Sequence, residues 1–118
     1  MLVLENGKCP VEDWITKDIK DVVTRAKIIR QFDKLQRGIF GDWKSVGDQI
    51  LELRLDFGPG YRIYYARVGV AMVVIILGGD KGSQSIDIKR SQQLWNSFVE
   101  EGIPANRLKI WGDTVHET

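Results

Sequence analysis

An α+β domain is the fold class that the sequence predicts, on three observations. Apolar residues recur at helical spacing over two segments before residue 38 and over one segment after residue 83. Between them, apolar and polar residues alternate along two segments, and a third segment is apolar almost throughout. A chain of 118 residues holds one domain with its own core. We therefore predict two N-terminal helices and a C-terminal helix packed on a small antiparallel β-sheet.

The three helices are predicted from their apolar stripes and their end signals. The first helix has Pro10 in its first turn and buries Val11, Trp14, Ile15 and Ile19. The second helix starts after Asp21, ends at Gly38 and is predicted to bury Val22, Ala26, Ile29, Phe32 and Leu35. The last helix runs from about Gln84 to Glu101 and buries Ile88, Trp95, Phe98 and Val99. Asp87 near its start complements the helix dipole.

Alternation predicts a β-hairpin whose strands flank Gly58-Pro59-Gly60. If Phe57 pairs with Tyr61, one face of the hairpin is core and the other carries salt bridges or chemistry, with the pairs Arg54/Tyr64 and Asp56/Arg62. The apolar run from Val70 to Leu77 predicts a central strand that is buried on both faces. Met1 to Glu5 could add an edge strand. Residues 1–102 form one domain, and residues 103–118 are an extension of uncertain structure.

Composition and motifs exclude several classes of function. Cys9 is the only cysteine and His116 the only histidine, which excludes disulfide scaffolds, Cys/His zinc sites and most histidine-based catalysis. The phosphate-binding P-loop, dinucleotide, zinc-protease and serine-hydrolase motifs do not occur. The pairs Asp80/Asp87 and Glu52/Asp56 are weak Mg²⁺ candidates, and we expect no metal and no other cofactor. No apolar stretch can span a bilayer and the N-terminus lacks a basic signal-peptide start, which predicts a cytoplasmic protein with no membrane partner.

The net charge of +1 is unevenly distributed along the chain. Residues 20–90 hold 13 Lys and Arg against 8 Asp and Glu, whereas the two ends together hold 4 against 8. A basic centre is typical of proteins that face a polyanion. The candidate RNA-binding residues are on two helices: Arg25, Lys27, Arg30, Lys34 and Arg37 on the second, and Lys89 and Arg90 on the last. The alternative for each of them is a solvated surface charge.

Three further cations, Arg54, Arg62 and Lys81, are predicted on strands and on the loop after the apolar strand. Together they could clamp a phosphodiester. RNA can be cleaved without a metal because its own 2′-OH is the nucleophile, so a protein need only orient it and neutralise charge on the phosphorane. The alternative is that the arginines form ordinary salt bridges with nearby carboxylates.

Several blocks of sequence carry a family resemblance: Glu52-Leu53-Arg54, the run from Gly58 to Tyr65, and Leu77-Gly78-Gly79-Asp80-Lys81 with Gln84 and Asp87-Ile88. They resemble the RelE/HigB-type toxins, in particular the phage-related, Gp49-like "addiction module killer" branch, over about residues 10–100. The resemblance implies a RelE-like fold and the toxin of a type II toxin–antitoxin pair. Such a toxin cleaves translated mRNA at the ribosome and is silenced by a cognate antitoxin, here expected to be a small helix-turn-helix protein.

The resemblance also implies roles for single residues. Arg62 matches the family's phosphate-stabilising arginine, Arg54 the neighbouring strand cation, and Lys81 the basic residue after the central strand. Glu52 is a possible general base, with pairing to Arg54 or to a neighbouring strand as the alternative.

The chain departs from the family pattern at three positions. Many relatives have lysines where this chain has Ile50 and Glu52, and a tyrosine where it has Asp87. The alternative functions are a ParE-like toxin that poisons DNA gyrase and a catalytically inactive antitoxin-binding domain. The antitoxin is expected to lay an acidic or amphipathic segment over the cationic face, or to displace the last helix.

Overall fold

Helices lie on both faces of a four-stranded antiparallel sheet in the computed structural model, which describes residues 1–110. The predicted α+β class is therefore confirmed. Trp111 and His116 lie outside the described residues, as does the second half of the predicted extension. In chain order the elements are α1 (Pro10–Asp13), a π-helical turn (Trp14–Asp18), α2 (Val22–Gln36), β1 (Trp43–Ser45), β2 (Leu51–Arg54), β3 (Arg62–Val68), β4 (Met72–Gly79), a 3₁₀ turn (Lys81–Ser83), α3 (Gln84–Glu100) and a second 3₁₀ turn (Ala105–Arg107).

The N-terminal helices form where the sequence predicts them. All four residues of the first predicted stripe are buried, and Asp21 caps α2 by accepting a hydrogen bond from the Thr24 backbone N–H at 3.0 Å. The predicted face of α2 is wrong in its first half, because Val22 and Ala26 are exposed and Ile28 is buried. At 100° per residue Ala26 lies about 160° around the helix from Ile28, so the two cannot face the sheet together.

The predicted hairpin is formed, but its strands are shifted by two residues from the predicted register. Leu53 pairs with Ile63, and Arg54 pairs with Arg62, whereas the sequence suggested Leu53 with Tyr65. The connection is a longer loop in which Gly58 and Gly60 adopt positive φ. Side chains alternate with a period of two, so a shift of two leaves each residue on its predicted face. What changes is which residues lie opposite one another.

β4 is an edge strand, so the prediction of a central strand there is wrong. The sheet order is β1-β2-β3-β4, and β4 begins at Met72, which leaves Val70 99% exposed. Beyond β4 the predicted N-terminal strand is reduced to a single bridge between Leu2 and Leu108, and the Leu2 N–H donates to the Ile75 carbonyl at 2.9 Å. The sequence of β4 is apolar almost throughout, although β4 is an edge strand, because helices cover both of its faces.

Two hydrophobic clusters hold the sheet between the helices. One joins Phe32 of α2 and Ile15 to Ile63 and Tyr65 of β3. The other joins Trp95 and Phe98 of α3 to the opposite face, including Tyr64, Ala66, Val74 and Ile76. The second face of the hairpin, predicted to carry salt bridges or chemistry, is covered by α3 over most of its area, and its ion pairs lie at one end. Polar side chains remain at one end, where Glu52 and Arg62 lie.

The N-terminus and residues 103–110 are joined to each other. The Met1 ammonium donates to the Lys109 carbonyl at 2.7 Å, and Arg107 Nε donates to the Val3 carbonyl at 2.9 Å. None of the helices in residues 1–110 combines the length and the apolar character that crossing a bilayer requires.

Candidate functional site

Arg62 begins β3 at the end of the sheet where α3 starts. In the sheet register it pairs with Arg54 on one side and with Gly79 on the other. Only 8% of its surface is exposed, and Nη1 donates a 2.6 Å hydrogen bond to the Gly60 carbonyl. Its Nε lies 3.6 Å from Glu52 Oε2 and makes no hydrogen bond. The guanidinium is thus fixed by one backbone carbonyl and one carboxylate.

Glu52 is the centre of a buried polar cluster, with 0% of its surface exposed. Its Oε2 accepts hydrogen bonds from the Tyr64 hydroxyl at 3.1 Å and from Gln84 Nε2 at 2.9 Å. Lys44 Nζ lies 3.8 Å from Oε1. Burial, and next the charge of Glu52, raise the pKa of Tyr64, which keeps its hydroxyl protonated as a donor. The geometry favours the alternative of pairing for Glu52: its partners are Arg62 of the neighbouring strand and Lys44, while Arg54 pairs with Asp42 instead.

Lys81 comes close to Arg62 because Gly60 has no side chain. A Cβ on Gly60 would lie 3.2 Å from Arg62 Nη1 and 3.3 Å from Lys81 Cβ, and Gly60 has a φ of +80°. Lys81 is exposed, and its ammonium has no ion pair with any of residues 1–110. The guanidinium of Arg62 and the Cβ of Lys81, from two of the three predicted catalytic residues, thus lie close to the same glycine.

Arg54 is directed differently from the other two cations. It lies opposite Arg62, and its Nη2 is 3.4 Å from Asp42 Oδ1 at the exposed edge of the site. Like charges that face each other across a strand pair repel, and a carboxylate beside each arginine relieves this. Both strand guanidiniums are thus paired with carboxylates, and Lys81 alone of the three is not.

The candidate RNA-binding cations of α2 differ in how they are engaged. Arg25 donates to the Thr16 carbonyl at 3.0 Å and to the Ile19 carbonyl, so it closes the end of the π-helical turn. Arg37 pairs with Asp33 at 2.7 Å, and Lys27 lies 5.3 Å from the centre of the Phe57 ring. Of the candidate RNA-binding cations, Arg30 and Lys34 on α2 and Lys89 on α3 have no such partner within residues 1–110, and Arg90 on α3 interacts electrostatically with Asp87.

A cleft of about 650 Å³, which the sequence did not predict, is lined by Tyr61 and Gly79, the chain neighbour and the strand partner of Arg62. Its walls include Trp14 and Tyr61, whose ring centroids are 5.9 Å apart at 74°. Gly78 lies beneath Trp14, because a Cβ there would overlap the indole ring. A signal was present in the sequence: adjacent glycines in a buried strand indicate that other groups approach the backbone closely.

Asp87 is the carboxylate of this cleft that packs most closely on the sheet. It sits over Gly79, where a Cβ would overlap its Oδ2, and that oxygen accepts a short hydrogen bond from the Ser83 hydroxyl. Burial raises the pKa of Asp87, and the Ser83 hydrogen bond opposes the rise. Asp80 caps the 3₁₀ turn by accepting from the Ser83 N–H at 3.1 Å. No group of His, Cys, Asp and Glu that could hold a metal ion occurs within residues 1–110.

Comparison with known proteins places the chain in a family. An uncharacterized protein of Haemophilus influenzae (strain ATCC 51907 / DSM 11121 / KW20 / Rd) is 43% identical to it over 83 residues, which are 70% of this chain and 83% of that protein. No protein-family model matches the chain, and no solved structure matches it significantly. The chain belongs to the same family as this Haemophilus influenzae protein.

Proposed function

We propose that this protein is the toxin of a type II toxin–antitoxin module and that it acts in the cytoplasm as a metal-independent mRNA endoribonuclease at the ribosome. The observation that supports this most is that the Arg62 guanidinium and the Cβ of Lys81 both lie close to Gly60 at one end of the sheet. A largely desolvated guanidinium and a nearby ammonium stabilise a developing phosphorane more strongly than exposed charges do. The resemblance to the RelE/HigB-type toxins supports the same function.

In the proposed reaction the 2′-OH of the RNA attacks the adjacent phosphorus and the 5′-oxygen of the next nucleotide leaves. Arg62 and Lys81 neutralise charge on the phosphorane oxygens. Glu52 has no exposed atoms and is held by Tyr64 and Gln84, so its role is to position Arg62 rather than to act as a general base. Bond cleavage then depends on orientation and charge, which need no cofactor.

Docking on ribosomal RNA and binding of the antitoxin use different cations in this proposal. Arg30 and Lys34 of α2 have no partner among residues 1–110 and are available to phosphates. The antitoxin, a small helix-turn-helix protein, covers the Arg62 and Lys81 site with an acidic or amphipathic segment. Masking these cations would stop both mRNA binding and cleavage.

A second candidate function is a catalytically inactive antitoxin-binding domain. One observation favours it: Arg54 and Arg62 are each already paired with a carboxylate, Asp42 and Glu52 respectively. Such pairing reduces the positive potential that a phosphate would meet. A ParE-like gyrase poison, which acts by binding protein, is a further alternative that does not need this site to bind RNA.

Induction of the protein in a bacterial host tests these alternatives. A nuclease arrests growth and translation and leaves cleaved transcripts, and co-expression of the protein from the adjacent small reading frame restores growth. Lys81→Ala should lower cleavage at least tenfold, whereas the matched variant Lys20→Ala, an exposed lysine outside the site, should cleave normally. DNA damage with intact mRNA would instead indicate gyrase poisoning, and growth without arrest by a folded protein would indicate an inactive domain.

A further inference from the structure

The charge that lines the cleft is opposite in sign to that of Arg62 and Lys81, which lie next to lining residues in the chain. Six charged residues line it, of which four are acidic (Asp13, Asp18, Asp80 and Asp87) and two are basic (Lys17 and Arg90). Arg62 and Lys81 approach each other across Gly60, whose chain neighbours Pro59 and Tyr61 both line the cleft. A phosphate is therefore repelled from the interior and attracted to the rim. A nucleotide bound here would place its base inside and its phosphate outside.

The walls of the cleft suit a flat aromatic group. Trp14 and Tyr61 supply two rings to its walls, in an edge-to-face arrangement. The volume of about 650 Å³ lies within the range of about 300–1,000 Å³ that is usual for small-molecule sites. Every nucleobase presents a π-face, so aromatic walls bind bases without distinguishing among them.

Asp87 supplies the group that can distinguish one base from another. Its Oδ2 is occupied by the Ser83 hydroxyl, whereas its Oδ1 has no hydrogen-bond partner among residues 1–110. A carboxylate oxygen accepts from the amino group of cytosine, as Asp and Glu do in DNA recognition, and adenine and guanine also carry amino groups. Uracil presents a carbonyl oxygen where cytosine has its amino group, and two acceptors repel each other.

We propose that this cleft binds the base next to the scissile phosphate and that Asp87 makes it prefer bases with an amino group over uracil. The inference rests on the proposed nuclease function, because only a nuclease has a scissile phosphate. The binding preference can nevertheless be measured without any cleavage. Asp87 acts here as a specificity residue, while Arg62 and Lys81 hold the phosphate.

Titration of the protein with cytidine and uridine 5′-monophosphates, followed by NMR at the Trp14 indole N–H, tests the preference. We expect cytidine monophosphate to bind at least tenfold more tightly, which is the range for one well-placed polar contact to a base. Asp87→Asn should narrow the ratio to within about threefold, because an amide both donates and accepts. Lys81→Ala should weaken both nucleotides by a similar factor and leave their ratio unchanged, because it contacts only phosphate.

The outcomes separate this inference from the proposed function. Equal affinity for the two nucleotides, or spectral changes away from Trp14 and Tyr61, would overturn the base site even if the protein cleaves mRNA. Selective binding of cytidine monophosphate that Asp87→Asn abolishes would support the base site even if no cleavage is found, and the nuclease proposal would then fail alone. Asp33→Asn, on the exposed side of α2, is the matched control and should leave both affinities unchanged.

Discussion

Arg62 carries its charge where water scarcely reaches, and Glu52 is what makes that position tolerable. Desolvating a guanidinium is costly unless a carboxylate and hydrogen bonds compensate for it. Here the compensation comes from Glu52 and from the Gly60 carbonyl, and Glu52 in turn is held by Tyr64 and Gln84. The Arg62 guanidinium is therefore held in one orientation, and the stability of the folded protein depends on Glu52.

Removal of the charge of Glu52 should therefore destabilise the protein. We expect Glu52→Gln to lower the free energy of unfolding by about 3 kcal/mol, because it leaves the Arg62 charge buried without a carboxylate. Asp33→Asn breaks the exposed pair with Arg37 and should cost less than about 1 kcal/mol. Urea denaturation at neutral pH measures both. Equal effects of the two variants would show that the buried pair is no stronger than a surface pair.

Asp87 should make stability depend on pH. Its pKa in the folded protein is raised by burial, so the folded state holds the proton more tightly than the unfolded state does. The stability that this provides is complete below the unfolded pKa of about 3.9 and is lost as the pH rises through the folded pKa. Asp87→Asn removes this loss. The variant should therefore be more stable than the native chain, by a margin in unfolding free energy that is largest at neutral pH and shrinks toward about pH 4. Urea unfolding at both pH values measures the difference, and an advantage that grows toward acid would contradict the assignment.

How far the site could be predicted depends on how each contact arises. Motif resemblance was enough to select Arg62, Lys81 and Glu52 as candidates. That Glu52 meets Arg62 depends on the strand register, and a shift of two residues replaced Asp56 by Arg54 as the residue opposite Arg62. Register follows from the length of the loop, which the alternation of apolar residues does not determine.

At the scale of elements, periodicity located the helices and strands but not their neighbours. An apolar run such as β4 signals burial on both faces, and burial of that kind fits an edge strand between two helical layers as well as a central strand. For α2 the apolar residues are compatible with two overlapping stripes, and only packing against the sheet selects the one that contains Ile28. Which strands and helices lie next to each other depends on tertiary packing, and a single sequence gives little information about it.

The contact between the first helical segment and β4 should be sensitive to a single methyl group. Gly78→Ala would place a Cβ inside the Trp14 ring, so either the indole or the strand must move. We expect a loss of about 2–3 kcal/mol in unfolding free energy, as for other overpacked cores, together with a shift of the Trp14 indole N–H resonance. Gly82→Ala, where a Cβ would lie 3.2 Å from Asp80 Oδ1, is the control and should cost under about 1 kcal/mol. If Gly78→Ala lowers the unfolding free energy no more than Gly82→Ala does, the π-helical turn that carries Trp14 can move at little cost.

On the scale of the whole molecule, the two ends of the described chain close the fold. Leu2 is fully buried against the α3 side of the sheet, and it is held there by its bridge to Leu108. Arg107 stacks over Phe98 at 5.5 Å while its Nε binds the Val3 carbonyl, and Lys109 pairs with Glu12 at 2.9 Å. Residues 103–110 are thus packed on the same core that α3 covers, and they connect it to α1.

Removal of this closing segment should destabilise the entire fold. A chain that ends at Gly102 loses the partners of Met1, Leu2 and Val3, and it exposes apolar surface of the core beneath α3. We expect the unfolding free energy to fall by about 3 kcal/mol or more and the Tm by roughly 10 °C. A chain that ends at Ile110 keeps all of these contacts and should unfold at a higher temperature than the chain that ends at Gly102. Thermal unfolding of the three chains measures the effect. If the two shortened chains melt together, the closing contacts contribute little, and the sheet and three helices are stable without them.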